Sequence, residues 1–201
     1  MGLIVTADSV EPTGQAAAPK RADARRNEQI LLDAAAAVFV ASGVDAPVRE
    51  IAARAGVGMG TLYRHFPTRA DLIVAVYQHQ VQTCAEAGPA LLASNPDSPY
   101  RALSEWIGLF VDFLVTKHGL AAVLRSDRTR FDSLHTLFID RLAPVGDQLL
   151  AAAVQSGEVK PGLTAYELMR GVGGLCAGAE GDKQYDARRL VRLLVAGLRC
   201  S

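Results

Sequence analysis

The stretch GVGMGTLYRHF, Gly56 to Phe66, puts three glycines in five positions and follows them with aromatic and basic side chains. Glycine at that density marks backbone that turns sharply or approaches another molecule closely. A phosphate-binding loop would need a strand before it and a GK[ST] ending, because the lysine neutralises phosphate and the hydroxyl holds magnesium. Here Gly60 leads into Thr61 and Leu62, and a helical pattern precedes the run. A dinucleotide fingerprint needs GxGxxG within a strand–helix–strand unit, and GVGMG has neither the spacing nor the neighbours. A helix-turn-helix accommodates every feature: a helix over Pro47 to Ala55, a turn over Gly56 to Gly58, and a second helix over Met59 to Phe66. Gly60 then keeps the first turn of the second helix slim enough to approach a groove wall. Thr61, Tyr63, Arg64 and His65 offer hydroxyls, a cation and an imidazole suited to phosphate oxygens and base edges. Leu62 and Phe66, spaced i and i+4, anchor that helix to the core.

Apolar pairs flank this motif on the upstream side. Ile30/Leu31, Ala34/Ala35 and Val38/Phe39 recur every four residues, and Gly43 stands where a helix C-cap requires positive φ. Val48, Ile51, Ala52 and Ala55 line one face of the short helix that follows. Downstream, TRAD at Thr68 to Asp71 is a capping box that opens a fourth helix toward Gln82. Its apolar face is Leu72/Ile73, Val76/Tyr77 and Val81. SNPDSP, Ser94 to Pro99, breaks the chain before an apolar helix carrying Leu103, Trp106, Ile107, Phe110 and Leu114. Gly119 to Leu124 suggests a further short helix, and Ser126 to Arg130 a charged connection. Leu134, Phe138, Leu142, Val145 and Leu149 indicate a long helix that Pro144 is expected to bend. Thr164 to Glu167 is a second capping box, for a helix to about Ala179. Leu190, Leu194 and Leu198 mark the last helix. The expected fold is all-α, with about nine helices and no strand. Three parts follow from it: a disordered tail over residues 1–22, a helix-turn-helix domain over 23–68, and a ligand-binding and dimerisation domain over 69–201.

The net charge of zero argues against bulk electrostatic binding of nucleic acid, but the charge is unevenly spread. Between Lys20 and Arg69 there are eight Lys or Arg against five Asp or Glu, so the basic excess lies around the motif. Cys84, Cys176 and Cys200 are scattered and form no CxxC, which indicates neither a zinc site nor a disulfide framework. His118 and His135 read as surface or hydrogen-bonded histidines. No metal and no cofactor are expected. Leu3 to Val5 is too short for a signal peptide, and no run reaches the ~18 apolar residues needed to span a bilayer. A cytoplasmic protein without a membrane partner is the expectation, nucleoid-associated when bound to DNA. No Ser-His-Asp or Cys-His arrangement emerges, so a helical enzyme is a distant alternative.

REIAARAGVGMGTLYRHFPTRADL, Arg49 to Leu72, together with ILLDAAAAVFVASG, Ile30 to Gly43, resembles the DNA-binding domain of the TetR family of bacterial transcriptional regulators. The resemblance covers about residues 25 to 77, and the C-terminal half is similar to the SbtR-like group. It implies a three-helix domain, a connecting fourth helix, and a helical ligand-binding and dimerisation domain. It further implies a homodimer on a palindromic double-stranded operator, acting as a repressor that a hydrophobic small-molecule effector of unknown identity releases. An activator or a ligand-independent regulator is the alternative. Carried over by position, Thr61, Tyr63, Arg64 and His65 face the groove, with Tyr63 on phosphate. Arg69 stands where the family usually has lysine and keeps the charge for a backbone phosphate. Arg49 projects near the backbone, and Lys20, Arg21, Arg25 and Arg26 add minor-groove or phosphate contacts. Two positions depart from the family pattern. Gly58 replaces a frequent capping serine, and Ala46-Pro47 a threonine pair, so those hydroxyl contacts are absent.

The effector is expected among Tyr77, Trp106, Phe110, Phe131, His135, Phe138 and Met169. The stripe Trp106, Phe110, Phe113 and Leu114 is first of all a core face, part of which lines a cavity. Gly171, Gly173, Gly174 and Gly178 share one helix at about 1 kcal/mol each against alanine. Either close packing within the chain or a subunit interface compensates them. Gly174, Gly178, Leu190, Leu194 and Leu198 are the interface candidates.

Overall fold

Apolar side chains at three- and four-residue spacing, bounded by glycine, proline and capping residues, fold into eight helices among the described residues. These are α1 (Ala17–Ser42), α2 (Val48–Ala55), α3 (Met59–His65), α4 (Arg69–Ser94), α5 (Pro99–Val123), α6 (Arg128–Gln155), α7 (Ala165–Ala177) and α8 (Ala187–Ala196). The computed structural model describes residues 17–123, 128–177 and 184–200, with side chains described at 26–114, 116–117, 132–177 and 184–200. No strand occurs among the described residues, where the single β element is a bridge between Val159 and Arg199.

The punctuation read from the sequence closes the helices as expected. Gly43 takes φ 78° and its N–H donates to Phe39 O at 2.9 Å. Gly56 takes φ 68° and ends α2, its N–H shared between Ala52 O and Ala53 O. Positive φ is cheap only for glycine, so these two residues set the angles around α2. The Thr68 hydroxyl accepts from Asp71 N–H at 3.1 Å, while Thr68 N–H donates to the Asp71 carboxylate at 3.2 Å. Thr164 and Glu167 repeat this box at α7, and the hydrogen bonds from Thr164 hold the Glu167 carboxyl below its usual range.

Four boundaries differ from expectation, one of them at α6, which begins at Arg128 within the stretch read as a charged connection. The fourth helix runs past Gln82 to Ser94, through Gly88 and Pro89. Gly88 is buried against α6, where a β-carbon would collide with Val145, so close helix packing compensates a poor helix former. Gly119 to Val123 continues α5 rather than forming a separate helix, a lone glycine being no breaker in an apolar run. The first helix begins at Ala17, within the stretch read as a tail; residues 1–16 lie outside the described residues.

One hydrophobic cluster extends from Leu31 and Phe39 on α1, through Leu62 on α3 and Leu72 to Cys84 on α4, to Val191 and Val195 on α8. The fourth helix packs on α5 and α6, and α1 packs on α2, α4 and α5. Asp33 of α1 and His79 of α4 meet at 2.7 Å across that junction. Ile30, expected on the buried face of α1, lies at its edge and is 44% exposed.

Candidate functional site

The second helix is held by Ile51 and Ala52 in the core, and its outer face leaves Arg49 exposed. The third begins at Gly58, whose φ −75° and ψ 151° any residue could adopt and which supplies no side-chain cap. Leu62 and Phe66 are buried and fix the helix against the cluster. The other residues of α3 are exposed, apart from Thr61. Tyr63 is 48% exposed, Arg64 and His65 are exposed, and Thr61 is half-buried. The Arg64 guanidinium lies along its own helix, with Nε donating to Gly60 O at 3.1 Å and Nη2 reaching Thr61 Oγ1 at 3.5 Å. A β-carbon built on Gly60 meets nothing within 4 Å. No packing inside the chain therefore requires glycine there.

Arg69, expected at a backbone phosphate, is also engaged within the chain. Its Nη2 donates to Val44 O and to Ala46 O, the latter at 2.7 Å, tying the first turn of α4 to the loop between α1 and α2. A guanidinium has five donors, so this clasp positions the domain while leaving N–H groups for a phosphate. Arg26 is exposed; the side chains of Lys20, Arg21 and Arg25 lie outside the described residues.

A cavity of about 290 Å3 opens between α5, α6 and α7. Of the expected effector-lining residues it brings together Phe110, His135, Phe138 and Met169. Two others, Tyr77 and Trp106, are not among the residues that line it. Tyr77 and Trp106 are fully buried core residues: the Tyr77 hydroxyl donates to Leu134 O at 3.0 Å, and the Trp106 indole N–H to Cys84 O at 2.8 Å. Both polar handles are thus spent on helix carbonyls, which suits aromatic packing. The Phe131 side chain, with His118 and Gly178, lies outside the described residues. Missed from the sequence were Lys117 and Arg170, which share the cavity wall with Leu114 and Tyr166. A helical-wheel reading could have placed Lys117 seven residues after Phe110, on the same face. Gly173 and Gly174 also line the cavity, with open space around both.

A second hollow of about 340 Å3 lies where α1 meets α4 and α5, but its charged groups are already paired, Asp33 with His79 and Asp112 with Arg188. No cluster of three potential metal ligands occurs among the described residues, and no helix there is long and apolar enough to cross a membrane.

A model of the bacterial regulatory proteins of the tetR family matches residues 31–76, and one of the C-terminal domain of SbtR-like transcriptional regulators matches residues 98–200. The chain belongs to the TetR family. A TetR transcriptional regulator from Streptomyces coelicolor is 34% identical, with a TM-score of 0.70 over 87% of this chain and 99% of that one. A TetR regulatory protein from Mycobacterium vanbaalenii is 32% identical, with a TM-score of 0.64 over 90% of this chain and 100% of that one. The HTH-type transcriptional repressor KstR of Mycolicibacterium smegmatis is 27% identical over 136 residues, 67% of this chain and 66% of the repressor's own length. As a TetR-family member the protein is a DNA-binding transcriptional regulator, not an enzyme, and α2 and α3 are its helix-turn-helix.

Proposed function

We propose that the protein is a homodimeric repressor whose hold on a palindromic operator is relieved by an effector seated between α5, α6 and α7. The single observation that supports the DNA-reading role most is the outward face of α3. Leu62 and the following Phe66 are committed to the core, whereas Met59, the bare Gly60, Tyr63, Arg64 and His65 are exposed. Repression is supported by the similarity to a named repressor. The fourth helix joins the parts: Arg69 clasps the DNA-reading domain at one end, and Cys84, past the middle of the helix, meets Trp106. A displacement of α4 would change the spacing of two recognition helices, and a coupling of ~1–3 kcal/mol gives a 5–150-fold change in affinity.

Replacing Tyr63 or Arg64 with alanine should weaken binding to an operator selected from random DNA. Loss of a base contact costs ~1–3 kcal/mol and relaxes specificity, whereas loss of a phosphate contact also flattens the salt dependence. Fluorescence anisotropy at several salt concentrations separates the two; full-strength specific binding by both folded variants would remove α3 from the interface.

The subunit contact is proposed on α7 and α8. Val191 and Val195 bury the inner face of α8, yet Leu193 is 59% exposed and Leu194 also faces out. A helix apolar on both sides in a water-facing position calls for a partner. Gly173 and Gly174 have no neighbour within the chain that needs them small. The expected stripe stands modified, Leu190 and Leu198 being half-buried and Leu193 joining Leu194. Light scattering should report a dimer at micromolar concentration, and Leu193→Asp with Leu194→Asp a monomer that loses operator binding. A double variant that stays dimeric would place the contact elsewhere.

A further inference from the structure

We infer that the cavity between α5, α6 and α7 is built for an organic acid, a single carboxylate carried on an apolar body, with Lys117 and Arg170 holding the head. The inference rests on the reading of this cavity as the effector site and gives its occupant a chemical class.

The body of the cavity is apolar and aromatic. Phe110 and Phe138 lie nearly parallel at 5.9 Å, and Leu114 and Met169 complete the wall. Such a lining by itself suits any hydrophobic molecule. The cations change that. Lys117 projects from α5 and Arg170 from α7, facing the same space, and no salt bridge joins either to a carboxylate among the described residues. The Lys117 ammonium lies 4.1 Å from the centroid of the Phe138 ring, so an aromatic face stands where an acid would ordinarily be. Two like charges turned toward one apolar hollow destabilise each other, and an anion between them relieves both.

The electrostatics fit a single negative charge. Burial, and after it the Arg170 charge, lowers the Lys117 ammonium to about 8. Burial, and after it the Lys117 charge, lowers His135 below its ordinary value, which favours the neutral imidazole. The site thus offers a permanent charge from Arg170 and a second, from Lys117, that is lost as pH rises through about 8. The other titratable groups that face Lys117 are His135 and Tyr166, while Asp132 acts on His135. A guanidinium can bind a carboxylate through two parallel hydrogen bonds while the ammonium adds a third.

The test uses the full-length protein without DNA and three probes with one tail: decanoate, 1-decanol and decylamine, with 4-phenylbutyrate as an aromatic acid. Calorimetry should show decanoate or 4-phenylbutyrate binding at least tenfold more tightly than 1-decanol, and decylamine not at all. Decanoate affinity should fall as pH rises from 7 to 9.5, because the acid stays ionised while Lys117 loses its proton. Lys117→Met should remove that pH dependence, and Lys117→Met with Arg170→Met should bring acid and alcohol within threefold of each other. Melting curves without probe serve as the folding control. Equal binding of acid and alcohol to the unaltered protein, or no binding of either acid at 1 mM, overturns the inference. Acid binding that needs both cations but leaves operator affinity unchanged supports the ligand class and instead refutes release from DNA.

Discussion

Gly60→Leu is expected to abolish specific operator binding in a protein that melts no lower than the unaltered chain. A glycine inside a helix costs about 1 kcal/mol against a good helix former, and a β-carbon at Gly60 meets nothing within 4 Å. The substitution therefore gains helix propensity, and its β-carbon strains no neighbour. What a leucine there does meet is whatever α3 faces. Displacing the helix from the groove loses more than one base contact at ~1–3 kcal/mol each, so affinity should fall about 100-fold or more. Anisotropy against the selected operator, paired with a thermal melt, measures both effects. Unimpaired binding would mean that DNA does not require glycine there, and a melt lowered by several degrees that the fold does.

Trp106→Ala should have the opposite profile. The indole is fully buried, stacks on Phe110 at 6.0 Å and donates its N–H to Cys84 O at 2.8 Å. On the other side it closes on Gly146, where a β-carbon would come within 2.8 Å of Ala165 Cβ and 3.4 Å of the Trp106 ring. Such a truncation costs ~3–5 kcal/mol, which lowers the melting temperature of a chain this size by roughly 6–20 °C. Lys117→Met, on the partly exposed cavity wall, should shift it by only a degree or two. Differential scanning calorimetry distinguishes a core residue from a lining residue by that contrast. A Trp106→Ala protein that melts normally but no longer responds to an effector would restore Trp106 to the ligand site.

The helix-turn-helix was legible because its signals are local. Gly43 and Gly56 need positive φ, Thr68 and Asp71 cap one another, and the alternation of Leu62 and Phe66 with polar residues marks one buried side. The cavity was only half legible because it depends on which aromatic side chain finds a hydrogen-bond partner on another helix. Nothing near Tyr77 in sequence announces the carbonyl of Leu134, fifty-seven residues away, that takes its hydroxyl. Lys117 and Arg170 escaped notice for the same reason: on separate helices each looks like an ordinary surface cation. Arg69 shows the limit in the other direction, since a position inherited from a family motif said nothing of its clasp on Val44 and Ala46.

The hydrophobic cluster that runs without interruption from Leu31 to Val195 bears on how such a regulator can be altered by descent or by hand. A DNA-reading head cut away after residue 68 would carry off Leu31, Val38 and Phe39 without the α4 residues Leu72, Ile73 and Val76 that share their interior. The head is thus no interchangeable cartridge. A hybrid that joins it to a foreign sensor would have to transplant the inner face of α4 as well, and the part of α5 against which α1 rests.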